Sequence, residues 1–165
     1  MGVLEPSSGK VTALIENWLT ERGGGLSLVL TRGVCPSCFS GDYDLFVFAQ
    51  TGDDRSSGSG RTPNIRCTAL LTPGDRGSEI HGIASKWVVS YGLAARDSLT
   101  VSSLEPDFAV LALQRELPTL LGTVIERQEL PLPIPRGTGA GGVMALYGSL
   151  LILGIPPEEL AYRDL

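Results

Sequence analysis

Hydrophobic positions first fall into helical order at Val11, Leu14, Ile15, Trp18 and Leu19, spaced i, i+3, i+4, i+7 and i+8. That spacing predicts an amphipathic helix over residues 11–22, about three turns long. Ser7 and Ser8 are candidate N-caps, and Gly23 to Gly25 give a C-terminal stop. The pattern then changes to short apolar runs between turn formers. "LSLVLTR" (26–32) and "YDLFVFAQ" (43–50) read as strands, separated by "GVCPSCFSGD". Residues 51–63, "TGDDRSSGSGRTP", read as a loop with little to bury. "NIRCTALLTP" is a further strand, with Ile65, Cys67, Ala69 and Leu71 alternating, and after "GDRGSE" comes the strand "IHGIASKWVVSYG".

The segment from Trp87 to Leu160 carries the most order. "WVVSYGL" ends in a turn and is followed by the polar "AARDSLTVSSLEPD". Two strand-like runs come next, "FAVLALQREL" and "GTVIERQELPLP", and then a Gly-rich turn into the apolar helix of "AGGVMALYGSLLILGIPPEEL". Strands gathered between two terminal helices predict an α+β fold. The expected sheet is mainly antiparallel or mixed, with about six strands, an N-terminal helix and a C-terminal helix. No internal repeat or linker is visible, so residues 1–165 read as a single globular domain.

Composition narrows the function classes. With 165 residues, 42% hydrophobic and 19% charged, the chain can bury a core unaided. The net charge of −5, with scattered Arg and no basic stripe, argues against nucleic acid as a partner. The longest apolar stretch, Val143 to Ile155, is interrupted by Gly148 and Gly154 and is too short to span a bilayer, so no membrane partner is expected. The N-terminus lacks the charged start and apolar core of a signal peptide, and three cysteines do not make a disulfide framework. The cytoplasm is the default location. A protein partner or a homo-oligomer is compatible with all of this.

Three readings of "CPSC" stay open. In the first, Cys35 and Cys38 simply lie in a turn while Cys67 packs inward; in the second, Cys67 and His81, the only His, join them to complete a Cys₃His zinc set; in the third, they form a redox dithiol. A redox CxxC is expected to open a helix, and "FSGDYDLFVF" reads as turn and strand instead.

"TGAGG" (Thr138 to Gly142) leads into the last helix. Its glycines Gly139, Gly141 and Gly142 are candidate anion-binding positions, because free amides and the helix N-terminus attract negative charge. The segment matches neither the Walker nor the dinucleotide fingerprint. "SSGK" at Ser7 to Lys10 has one Gly and no strand is evident before it, so a phosphate loop is not expected there. Asp53 and Asp54 are a candidate site for a hard cation, though they sit in a solvated turn pattern. No Gly-x-Ser-x-Gly elbow is present, and Glu126 and Glu129 fall on opposite faces of a strand-like run, so no catalytic residue is assigned.

The order of pieces from Leu45 to Leu160 resembles the end of the central domain of the Mur ligases and their folylpolyglutamate synthetase relatives. The resemblance rests on "LFVFAQTGDDR", "VVSYGL", "LTVSSLEPDFAVLAL", "ELPLPIPRGTGAGG" and "MALYGSLLILGIPPEEL" in that order. The family's Gly-rich Lys-Thr/Ser loop is missing, and 165 residues leave no room for its C-terminal ligase domain. Of its Gly-Arg-His-Asn turn, Arg136 and Gly137 are matched but the His and Asn are not. The resemblance therefore implies a scaffold without ligase chemistry: a non-catalytic binding or accessory module, or a subunit completing a ligase in trans. A small thiol- or zinc-dependent enzyme centred on Cys35 and Cys38 is the alternative. No cofactor is expected beyond that zinc.

Overall fold

A computed structural model describes residues 1–5, 9–21, 28–49, 64–77 and 80–161. The Ser7 and Ser8 caps, the Gly23 to Gly25 stop and the Asp53–Asp54 pair lie outside the described residues.

Among these residues one eight-stranded sheet carries the architecture. Its strands are β1 (Gly2–Leu4), β2 (Thr31–Gly33), β3 (Gly41–Phe48), β4 (Ile65–Pro73), β5 (Ile83–Tyr91), β6 (Leu99–Leu104), β7 (Phe108–Leu113) and β10 (Glu129–Pro133). They lie side by side in the order β10-β7-β6-β5-β4-β3-β1-β2. Between β7 and β10 the short β8 (Leu117–Pro118) and β9 (Val124–Ile125) form a separate antiparallel pair. Helix α1 (Lys10–Glu21) follows β1, helix α2 (Ala140–Ile152) follows β10, and the one-turn α3 (Pro157–Leu160) comes last. The chain is thus α+β with a mixed sheet and a helix near each end, as the hydrophobic pattern predicts.

Pairing from β2 through β6 is parallel, and antiparallel pairing in this sheet is confined to β6-β7-β10. The parallel section has the strand order 2-1-3-4-5, with its topological switch between β1 and β3. Sequence alternation did not suggest this, because β4 and β5 are joined by residues 74–82, of which no described residue is helical. β6 meets β5 through one register pair, Tyr91 with Leu99, so β6 begins where β5 stops. The antiparallel wing therefore projects past the edge at which the parallel strands end.

Alternation along β3 builds two cores. Leu45 and Val47 join the cluster that contains Val11, Ile15 and Trp18 of α1 and most of α2, whereas Phe46 and Phe48 join a smaller one with Phe39, Ile65, Cys67 and Leu70. α2 is buried from Gly142 to Ile152, as its apolar residues on every side require. At about 1.5–3 kcal/mol for each fully buried Leu, Ile or Met side chain, this helix is a main source of stability. Gly148 permits the close approach: a Cβ there would come within 2.7 Å of Leu99 Cδ1 and 3.1 Å of Leu71 Cδ2. Two phenols tie separate elements together. Tyr91 donates to the Phe48 carbonyl at 2.6 Å, and Tyr147 of α2 donates to the Pro133 carbonyl of β10 at 2.6 Å. No helix among the described residues is long and apolar enough to cross a membrane.

Several boundaries differ from those the sequence predicts. β1 has three residues, too few to show any period, yet Val3 is fully buried because the strand pairs on both sides. The expectation that no strand precedes "SSGK" is thereby corrected. β6 lies within the segment read as polar; its Leu99 and Val101 alternate with Thr and Ser before the register shifts between Val101 and Ser103.

Candidate anion-binding cleft

The parallel strands all point their carboxyl ends to one edge, and both long helices begin there. A cleft of about 930 Å³ opens at this edge. Pro73 and Gly74 at the end of β4, Tyr91 and Gly92 at the end of β5, Lys10 and Val11 of α1, and Gly137 to Gly142 at the start of α2 line it. Open α/β sheets take ligands outside the carboxyl ends of their strands; this cleft lies there, over β4 and β5 and to one side of the switch between β1 and β3, and its volume suits a small organic molecule.

The two helix N-termini are finished differently. That of α1 is closed by an internal carboxylate: Glu5, directly after β1, is fully buried. It accepts hydrogen bonds from the Val11 amide at 2.6 Å, the Thr12 amide at 3.1 Å and the Thr12 hydroxyl at 2.8 Å. First-turn amides and the positive end of the helix dipole favour an anion at this point. Glu5 occupies the position that a bound phosphate takes in a strand–loop–helix phosphate site. The Glu5 amide in turn donates to the Gly33 carbonyl at 2.9 Å, which fixes the strand end to β2.

α2 has no such closure. Its N-cap, Gly139, has no side chain to cap with and adopts an extended conformation, φ −82° and ψ 172°. The first intrahelical bond runs from Val143 to the Gly139 carbonyl, so the amides of Ala140, Gly141 and Gly142 have no partner among the described residues. The Thr138 hydroxyl is also buried, with no partner among the described residues. Pro135 to Thr138 form a tight turn, closed by the Thr138 amide on the Pro135 carbonyl, with Gly137 at φ +69°. The Lys10 ammonium donates to the Gly137 carbonyl and joins the start of α1 to the turn that leads into α2. The Gly139, Gly141 and Gly142 group read from sequence is therefore assembled at the mouth of this cleft, with a cation beside it.

The opposite wall holds an unsatisfied carboxylate. Asp97 is only 2% exposed. One carboxylate oxygen accepts the Ala94 amide at 3.1 Å, while Oδ1 has no partner among the described residues. A Cβ at Gly74 or Gly92 would run into this carboxylate, so both glycines are required by its position. A buried carboxylate oxygen without a donor is costly unless a ligand hydroxyl, amine or cation completes it. Val11, Pro73, Leu93, Ala94 and Met144 supply apolar surface between these polar ends.

Elsewhere, Cys35 and Cys38 face each other with their sulfurs 2.8 Å apart, on a one-turn 3-10 helix, Pro36–Cys38. Cys67 is buried on β4, and His81 is exposed in the turn before β5. The four residues grouped as a zinc set are not brought together: no three His, Cys, Asp or Glu side chains among the described residues form a metal-holding group. Glu126 and Glu129 are both exposed ahead of and at the start of β10. Sequence reasoning missed Lys10 and Asp97 as parts of one cleft, and Glu5 as the closure of the α1 N-terminus beside it. The available signals were an acidic residue six positions before the first apolar residue of α1, and an Asp three residues after Ala94 in "GLAARDS".

No protein-family model matches the chain, and no curated protein matches it in sequence.

Proposed function

We propose that this chain is a non-catalytic binding module that holds a small phosphorylated molecule in the cleft between α2 and the ends of β4 and β5. The observation that carries the reading is the contrast between the two helix N-termini. Glu5 fills the one on α1, while the three leading amides of α2 stand open beside Lys10. A phosphate group fits the open amides, and the apolar wall and the Asp97 carboxylate suit an organic body with a hydroxyl or amine donor. Nucleoside and sugar phosphates have this combination.

The reading favours binding over turnover for a physical reason. With a carboxylate fixed on the first-turn amides of α1, a triphosphate cannot use that helix as its cradle. The resemblance of Leu45 to Leu160 to the end of the Mur ligase central domain agrees with this. On that view the chain keeps the scaffold of an ATP-using domain, and an accessory role beside a protein partner follows. Calorimetric titration with nucleoside mono-, di- and triphosphates, against the unphosphorylated nucleosides, tests the reading. Affinity that rises at least tenfold when a phosphate is present supports it; equal affinity for both sets overturns it.

A further inference from the structure

We infer that Cys35 and Cys38 form a reversible dithiol–disulfide couple that exchanges electrons with external disulfides. This does not depend on the ligand cleft, since neither cysteine lines it.

Five features of the turn support it. The sulfurs are already 2.8 Å apart, so a bond of about 2.05 Å requires less than an ångström of movement. The Cys35 sulfur also lies 3.1 Å from the Ser37 hydroxyl. Hydrogen bonds from the Cys38 thiol and the Ser37 hydroxyl hold the Cys35 thiol below its ordinary pKa, which makes it the nucleophile of the pair.

The backbone is held for the reaction. Pro36 opens the single helical turn, and the Cys38 amide donates to the Cys35 carbonyl at 3.0 Å. The Phe39 amide closes on the Pro36 carbonyl at 3.1 Å. Phe39 itself is buried and meets Phe46 edge-on, ring centres 4.9 Å apart. This anchors the segment to β3 while leaving Cys38 exposed and Cys35 half-covered, so that an external disulfide can reach them.

The third cysteine behaves oppositely. Burial pushes the Cys67 thiol up to about 11, so near neutral pH it is neither a thiolate nor accessible. Reactivity is therefore confined to the CPSC turn.

The step balances without a metal or further cofactor. The Cys35 thiolate attacks one sulfur of a disulfide R–S–S–R, forming Cys35–S–S–R and releasing RS⁻. The Cys38 sulfur then attacks Cys35, displacing the second RS⁻, and the Cys38 proton goes to a released thiolate. Starting from the Cys35 thiolate and the Cys38 thiol, the protein loses two electrons and one proton, and the external disulfide becomes one thiol and one thiolate, which takes up the proton that Cys35 gave to solvent on ionising. In reverse, the reduced turn is regenerated by a small thiol.

The full chain, purified under reducing conditions and exposed to oxidised glutathione, gives the test. The expected product has lost the mass of two hydrogens and has a Cys35–Cys38 link by peptide mapping, with Cys67 still alkylatable after unfolding. Cys38→Ser is expected to accumulate a glutathione adduct at Cys35, and Cys35→Ser to form an adduct at Cys38 at least ~10-fold more slowly. Glutathione adducts that persist on the native chain would overturn the inference. So would equal adduct rates for the two variants, or stoichiometric zinc that blocks oxidation in the purified chain. Far-ultraviolet circular dichroism of each variant separates a lost fold from lost chemistry.

Discussion

Gly139→Asp is the substitution that separates the role of the α2 N-terminus most sharply from general folding effects. Gly139 is exposed and extended, and a Cβ there meets nothing within 4 Å, so the new side chain enters open space without strain. Its carboxylate would cap the free amides of α2, much as Glu5 already serves α1. Asp over Gly at an N-cap contributes a few tenths of a kcal/mol, the charge on the helix end roughly 0.3–1 kcal/mol, and the lost unfolded-state freedom of glycine about 0.4–1 kcal/mol. The sum is about 1–2 kcal/mol of added stability, or a rise in Tm of roughly 2–8 °C for a chain of this size. The same carboxylate would repel a phosphate. Two unit charges ~4 Å apart at an effective dielectric of 20 interact by about 4 kcal/mol. Even after screening at an exposed position, a loss of at least tenfold in pyrophosphate affinity is expected, equivalent to about 1.4 kcal/mol. Gly139→Ala is the control: no carboxylate, affinity kept, Tm little changed. Calorimetric titration and a thermal melt on both variants read the two effects. If Gly139→Asp binds pyrophosphate as well as Gly139→Ala does, or lowers Tm by several degrees, the free-amide reasoning is wrong.

Three further outcomes follow. Glu5→Gln keeps the shape of the side chain but turns an NH₂ group toward N–H donors, so urea unfolding should show a loss of ~2 kcal/mol; an unchanged midpoint would contradict the capping role of Glu5. Lys10→Met removes a half-buried side chain whose bond to the Gly137 carbonyl lies at the surface, so stability should change by less than ~1 kcal/mol, while pyrophosphate affinity should drop about tenfold as one charge-assisted contact is lost. Alkaline stability should fall through the Cys67 thiol. Its folded pKa, about 11, lies above the ordinary 9, so the folded state keeps the proton longer, and stability is lost progressively as pH rises from about 9 to 11. Burial raises the Tyr147 phenol as well and acts in the same direction at still higher pH. Cys67→Ala should therefore flatten the slope of stability against pH between 9 and 11 without abolishing the alkaline loss; an identical slope would contradict the assignment.

Much of the scaffold was legible because it depends on periodicity. The Val11, Ile15 and Trp18 stripe gave α1 to within one residue at each end, and the alternation of "NIRCTALLTP" and "YDLFVFAQ" gave β4 and β3. The last helix was legible from its run of apolar residues, although it begins at Ala140 and its following segment turns at Gly154, φ +92°. The parallel direction was not legible, because strand direction depends on how the chain crosses between strands, and the crossing from β4 to β5 has no helical signature. β1 was missed because its three residues gain their burial only from neighbours remote in sequence, β2 and β3. For the cleft, the glycines before α2 stood out by composition. Glu5, Lys10 and Asp97 did not, because their meaning is relational. Glu5 matters as the cap of a helix five residues later, Lys10 through the carbonyl of Gly137, and Asp97 through the absence of side chains at Gly74 and Gly92.

The most direct test of the central claim is an amide-resolved NMR titration of the full chain with inorganic pyrophosphate. The account expects saturable shifts that are largest at Ala140, Gly141 and Gly142, with smaller ones at Lys10, Val11 and Thr12, because Glu5 already holds the Val11 and Thr12 amides while Lys10 and Val11 line the cleft. Saturable shifts centred on Val11 and Thr12, or no saturable shifts at the start of α2, would contradict it.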